Sequence, residues 1–244
     1  MASLTPLTSA AVDAVPRNIE LLRDLKPREI DLVLSVARRR RVHAKSIITY
    51  QGEAAEYLLL LWKGRARYFY EIPDGKKLIL KWITPGEILG GAALLTRPST
   101  YVLSTEAVQD SIVLEWDRST IRRLARRFPQ LPENANAIAM DYLSWYVAAH
   151  AALTSRNARE RLASVIFTFA RSFGEKVADG IALDVTNEEL ACSANITPYT
   201  ASRLISAWQK SGAILKRRGG LLLRSPRAFF LSSSSGPAAG SPSR

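Results

Sequence analysis

Between Lys45 and Trp116 the chain breaks into short β-branched and leucine-rich runs set apart by single glycines, and from Trp116 to Phe173 there is no glycine. SIITYQGE, YLLLLWKGRARYFYEI, KKLILKWITPGEIL and DSIVLEW are the runs, with Gly52, Gly64, Gly75 and Gly86 at the breaks. Closely spaced short strands with turn signals predict an antiparallel barrel or sandwich. Pro73-Asp74-Gly75 reads as a hairpin turn. From Arg118 to Phe173 helix formers take over without a single glycine. The expected class is therefore α+β, strands first and helices after.

Within Leu131 to Ser155, two apolar rows recur at helical spacing. One is Ala139, Leu143, Tyr146, His150 and Leu153; the other is Ile138, Tyr142, Trp145, Ala149 and Ala152. A helix apolar over so wide an arc is covered on more than one side. One row can face the β domain and the other a second subunit, or both can be buried within a single chain. The arginine run Arg38 to Arg41 reads as a solvated helix end favoured by the macrodipole, with His43 on the surface after it.

The densest local signal lies between Asp184 and Arg227. Thr186 to Glu189 forms a capping box, with Thr as N-cap and Glu at the third helical position. Leu190 and Ala191 give the short helix an apolar face, and Ser193-Ala194-Asn195 breaks it. Thr197-Pro198 opens a second helix, Thr as N-cap and Pro where a missing N–H costs nothing, and Gly212 stops it. Ala201, Leu204, Ile205 and Trp208 mark its core face. Tyr199, Ser202, Arg203 and Ser206 mark another, a stripe suited to base edges in a major groove. Ala213 to Leu215 and Leu221 to Leu223 flank Lys216-Arg217-Arg218-Gly219-Gly220, the pattern of a two-stranded wing.

Charge agrees with that reading. The chain of 244 residues carries a formal net charge of +12, which makes a polyanion the default partner. From Thr197 to Arg227 there are seven Lys or Arg and no Asp or Glu. The residues expected to meet double-stranded DNA are Thr186, Thr197, Pro198, Tyr199, Thr200, Ser202, Arg203, Lys210, Lys216, Arg217 and Arg218. A basic solvated hairpin without a nucleic-acid role is the plainer alternative.

The order of these motifs resembles the CRP/FNR superfamily (cyclic AMP receptor protein and fumarate-nitrate reduction regulator). KSIITYQGEAAEYLLLLWKGRARYFYEIPDGKKLILKWITPGEILGG is similar to its cyclic-nucleotide-binding β-roll, and TNEELACSANITPYTASRLISAWQKSGAIL to its helix-turn-helix, over residues 18 to 228. The resemblance implies an N-terminal antiparallel, jelly-roll-like β-roll, a long central dimerisation helix and a C-terminal winged helix-turn-helix. The expected divisions are an arm at 1–17, the sensor at 18–130, the dimerisation helix at 131–156, the DNA-binding domain at 157–231 and a low-complexity tail at 232–244. The resemblance also implies a homodimer on a palindromic operator and a contact with RNA polymerase. Arg203 matches the family arginine that contacts guanine, and Ser202 a neighbouring base or phosphate contact. Tyr199 departs from the glutamate, and Pro198 from the arginine, that other members carry.

The family's nucleotide pocket calls for a carboxylate on the ribose and an arginine on the cyclic phosphate. Here Gly91 stands at the carboxylate position, and the arginine position falls on Tyr101 or Ser99, with Arg97 several residues early. Cyclic AMP is therefore not expected to bind usefully. The candidate effector-pocket residues are Trp82, Leu89, Gly90, Gly91, Tyr101, Val102, Tyr142 and Tyr146, suited to an apolar or aromatic molecule.

No cofactor or metal is expected. The single cysteine, Cys192, is too few for an iron–sulfur cluster held by this chain's own thiolates, which needs about four. Haem would have only His43, His150, Cys192 and the weaker Met1 and Met140 as axial ligands; His150, in an apolar helix row, reads as a packed residue. Cys192 reads as a buried thiol or as a redox switch. No secretory signal and no membrane-spanning run are read, so a cytoplasmic, membrane-free location is expected. An enzyme is not expected: there is no His-Glu-x-x-His, no phosphate loop and no carboxylate cluster at metal spacing. The remaining alternative is a ligand- or gas-sensing module that acts through protein contacts.

Overall fold

The structure, a computed structural model, describes residues 16, 19–72, 77–155, 157–217 and 219–224, except the side chains of 148–150 and 152–155. The hairpin turn read at Pro73 to Gly75, the arm before Pro16, Arg218, the tail from Ser232 and the side chain of His150 lie outside that description. The chain divides into two compact units, Met1–Tyr146 and Val147–Arg244.

The first unit opens with helix α1 (Pro27–Ser35), followed by strands β1 (Arg38–Val42), β2 (Ile47–Thr49), β3 (Tyr57–Lys63), β4 (Ala66–Glu71), β5 (Lys77–Ile83), β6 (Ile88–Leu89), β7 (Ser104–Ala107) and β8 (Ser111–Asp117). Helix α2 (Arg118–Arg127) and the start of α3 (Gln130–Ser155) complete it. The strands form two four-stranded sheets, ordered β1-β8-β3-β6 and β2-β7-β4-β5, with every pairing antiparallel.

Strand β3 shows how one run of leucines serves two cores. Successive side chains of a strand point to opposite faces. Leu59 and Leu61 join Val42, Ala66, Ile83, Leu89 and Val113 between the sheets. Leu58 and Leu60 face the other way, against Val33 of α1, Ile121 and Leu124 of α2, and Leu131 of α3. Burial on both faces is why β3 reads as a continuous apolar run rather than an alternating one. On the helix side the Trp116 indole N–H donates to the Val33 carbonyl at 2.8 Å.

The arginine run is a correction. Arg38 to Arg41 is not a helix end but most of β1, paired antiparallel with β8. Arg38 and Arg40, two apart and so on one face, both reach Glu115, at 3.6 and 2.9 Å. Four like charges in a row conceal an edge strand whose counter-charge lies on a neighbour 75 residues away.

The second unit carries α4 (Ala158–Ser172), β9 (Glu175–Val177), β10 (Gly180–Leu183), α5 (Asn187–Ser193), α6 (Pro198–Lys210), β11 (Ile214–Arg217) and β12 (Gly220–Leu223). Its antiparallel sheet runs β11-β12-β10-β9. The wing strands β11 and β12 were expected from sequence; the β9–β10 hairpin was not. Asp179-Gly180 is a hairpin signal, and Gly180 takes φ +143, but strands of three and four residues leave almost no periodicity.

Candidate nucleic-acid interface and effector cavity

The second unit is organised around α5 and α6. Thr186 caps α5 with the reciprocal box foreseen: its hydroxyl accepts from Glu189 N at 3.2 Å, and Thr186 N donates to Glu189 Oε2 at 2.8 Å. The turn between the helices runs through Asn195 at φ +49, a left-handed conformation that asparagine tolerates. Arg161 of α4 holds this turn, donating from Nε to the Ala194 carbonyl at 3.0 Å and from Nη2 to that of Asn195 at 3.3 Å. Carbonyls at the end of α5 thereby gain a charged donor.

Thr197 caps α6 by accepting from Thr200 N at 3.1 Å, with Pro198 in the first turn. Ala201, Ile205 and Trp208 are buried and Leu204 is half-buried, so the apolar face packs inward. The other face stands in solvent. Tyr199 is 78% exposed and Arg203 is exposed, while Ser202 and Thr200 are half-buried beside them. Pro198, Lys210, Thr186 and Arg217 are exposed as well. Lys216 differs: its ammonium donates to Ser206 Oγ at 2.9 Å, and Ser206 in turn donates to the Ser202 carbonyl at 2.8 Å. The wing is thus bonded to the helix it accompanies. Cys192 is half-buried at the end of α5.

In the first unit a cavity of about 430 Å³ is lined by residues of β2, β4 and β6, of the segment 90–103 and of the first part of α3. Of the candidate pocket residues, Gly90, Gly91, Tyr101, Val102 and Tyr142 line it. Trp82, Leu89 and Tyr146 do not. Trp82 is buried beneath the Arg65 guanidinium, 5.1 Å from its ring centroid. Leu89 belongs to the core between the sheets. Tyr146 packs edge-on against Trp145, with its buried hydroxyl lacking a hydrogen-bond partner among the described residues. The sequence reading missed Thr49, Tyr68, Ile88, Leu94, Leu95 and Leu103, and on α3 Ala135, Ile138 and Ala139. The α3 residues were legible in part, since Ala135, Ile138, Ala139 and Tyr142 fall at i, i+3, i+4 and i+7.

Gly90 at φ +71 is required here, because a Cβ would come within 2.6 Å of the Tyr57 carbonyl and 2.8 Å of the Tyr101 ring. Tyr101 is anchored by its hydroxyl, which donates to Tyr57 O and accepts from Tyr57 N, both at 3.1 Å. Tyr68 donates to the Ile88 carbonyl at 3.3 Å and meets Tyr142 edge to face at 6.4 Å. Tyr142 lies under the Lys81 ammonium at 3.9 Å, and Lys81 is itself ion-paired with Glu87. Burial foremost, with the Glu87 carboxylate and neighbouring phenols adding to it, raises the Tyr68 and Tyr142 hydroxyls far above the usual phenol range. Burial raises Tyr101 and Tyr146 too. All four are therefore neutral groups at physiological pH.

Other candidate ligands do not converge. His43 is a surface residue with its side chain 90% exposed, Nδ1 standing 3.7 Å from Asp110 Oδ1. Among the described residues no group of three His, Cys, Asp or Glu side chains is placed to hold a metal ion. No helix there is long and apolar enough to cross a membrane.

Comparison with known proteins gives this arrangement its class. A family model of the cyclic nucleotide-binding domain matches residues 39–128, and one of the Crp-like helix-turn-helix domain matches residues 160–229. The fold joins a β-roll of the cyclic nucleotide-binding type and a Crp-like helix-turn-helix in one chain. The chain is 29% identical over 194 residues to the cyclic AMP receptor protein of Thermus thermophilus, covering 80% of this chain and 87% of that one. It is 22% identical over 210 residues to the anaerobic regulatory protein of Bacillus subtilis, covering 82% and 85%. The solved structure of FixK2 from Bradyrhizobium japonicum matches with a TM-score of 0.71 at 23% identity, over 82% of this chain and 99% of that one. A CooA mutant from Carboxydothermus hydrogenoformans matches at 0.68 and 24%, over 91% and 98%. At such identities these two structures speak for the fold. The chain belongs to the CRP/FNR superfamily and is a DNA-binding transcription regulator of that type.

Proposed function

We propose that the protein acts in the cytoplasm as a homodimer that places the exposed edge of α6, Tyr199, Ser202 and Arg203, in the major groove of each half of a palindromic operator. The observation that carries this reading is an exposed, acid-free helix face with a guanidinium at its centre. Arg203 offers the planar fork that bonds two acceptors of guanine. Arg217 on the wing and Lys210 at the end of α6 supply phosphate contacts. RNA polymerase is the expected protein partner, and no catalytic activity is part of this reading.

Cyclic AMP is not the signal in this proposal. Gly91 has open space where the family carboxylate would stand. Tyr101 is committed to the Tyr57 backbone, and Arg97 is exposed and does not line the cavity. An ionised phosphate moved from water to such a wall, with no cation facing it, loses on the order of several kcal/mol. Neither haem nor an iron–sulfur cluster is invoked.

Selection of bound duplexes from a random pool, then fluorescence anisotropy at several salt concentrations, tests the DNA reading. The expected outcome is a two-fold symmetric consensus and an affinity that falls steeply as salt rises. Purified protein that ignores every palindromic duplex at low ionic strength would overturn it.

A further inference from the structure

The cavity of the first unit has a wall without charge. None of the seventeen residues lining it is Asp, Glu, Lys, Arg or His. Its polar groups are mostly committed elsewhere: Thr49 donates to Thr105 Oγ1 at 2.8 Å, Tyr68 to the Ile88 carbonyl, and Tyr101 to the Tyr57 carbonyl. At the same time apolar side chains that line the cavity are left in water, Val102 at 76% and Leu95 at 53% exposure. A volume of about 430 Å³ suits a small organic molecule. Size alone would admit a nucleotide, so the electrostatics of the wall decide.

We propose that this cavity binds an uncharged, mainly apolar molecule of about two to three rings in size, covered by Leu95 and Val102, and that Tyr142 registers its presence on α3. This deepens, and rests on, the reading of the first unit as the sensor of a DNA-binding regulator. The ligand gains by removing exposed apolar surface from water and meets no buried ion that it must neutralise. Tyr142 is suited to transmit occupancy. It lines the cavity from α3 while its ring lies 3.9 Å from the Lys81 ammonium and its hydroxyl 3.5 Å from Glu87 Oε1. A ligand that turns this ring changes a cation–π contact and an ion-pair environment at once.

A matched pair of fluorescent probes tests the proposal on the full chain. N-Phenyl-1-naphthylamine is neutral; 1-anilinonaphthalene-8-sulfonate carries the same rings with a sulfonate. The neutral probe should bind one molecule per chain, and the sulfonate or cyclic AMP should displace it only at concentrations at least tenfold higher. Gly91→Phe, where a Cβ meets no atom within 4 Å, and the independent Ala139→Phe should fill the cavity. Each folded variant, checked by circular dichroism, should weaken the neutral probe at least tenfold. Equal displacement by the sulfonate, micromolar displacement by cyclic AMP, several probe molecules per chain, or unaltered binding in a folded variant would each overturn the assignment. Anisotropy with operator DNA on the same preparation separates the two readings. Probe binding without DNA binding sinks the regulator reading alone, and DNA binding without probe binding sinks the cavity assignment alone.

Discussion

Arg203 stands exposed on α6 with no acidic residue between Thr197 and Arg224 to engage it. A guanidinium so placed is free to bond a base in two places, and its loss removes direct readout while phosphate contacts remain. Arg203→Ala should therefore weaken the selected operator by about 1–3 kcal/mol and relax the preference at one base pair, while non-specific affinity changes little. Anisotropy on the consensus and on each single-base variant checks this; an unchanged preference profile would remove Arg203 from the reading edge. At this scale α6 was legible from sequence because a cap, a proline and an i, i+3, i+4, i+7 row are local signals. The cavity was legible only in part. Trp82 is aromatic and near in sequence, yet a strand sends alternate side chains to opposite faces, and no local pattern said which. Thr49 and Tyr68 reach the cavity through strand pairings distant in sequence, which composition does not reveal.

Among the elements, α2 depends on a cap that can be titrated. The Asp117 carboxylate accepts from Ser119 Oγ at 2.6 Å and from Thr120 N at 2.9 Å. These bonds, the one from Ser119 foremost, lower its carboxyl from 3.8 to about 2. A native group that holds its proton less tightly than the unfolded chain does stabilises the fold fully above about pH 4, and that contribution disappears as pH falls through about 2. Replacing Asp117 by Ala should reduce stability by about 1 kcal/mol at neutral pH and flatten the acid limb of the melting temperature between pH 5 and 2. Calorimetric scans of both proteins decide the point, and parallel acid limbs would count against the cap. Elements with strong periodicity or caps, such as α3, α5 and α6, were readable in the chain. Strand β1 was not, because its four arginines carry no apolar alternation and its partner Glu115 is far along the sequence.

For the whole molecule the decisive surface is the outward side of α3. Ile138 packs on the helix-side core and Tyr142 lines the cavity, whereas Met140 and Leu143 are each 53% exposed. Large apolar side chains left in water on a long helix are suited to a second copy of the chain. Leu143→Glu should convert a dimer to a monomer and abolish tight operator binding, as measured by sedimentation velocity. A wild-type protein that sediments as a monomer at tens of micromolar would refute the dimer. The bond from Lys216 to Ser206 bears on how such a dimer chooses its sites. The wing hairpin is bonded to α6, so in the proposed complex the spacing between what is read and what is gripped would be held from within the protein. A duplex whose local twist shifts a phosphate out of step would then lose contacts at both, and discrimination would extend to base pairs the protein never touches.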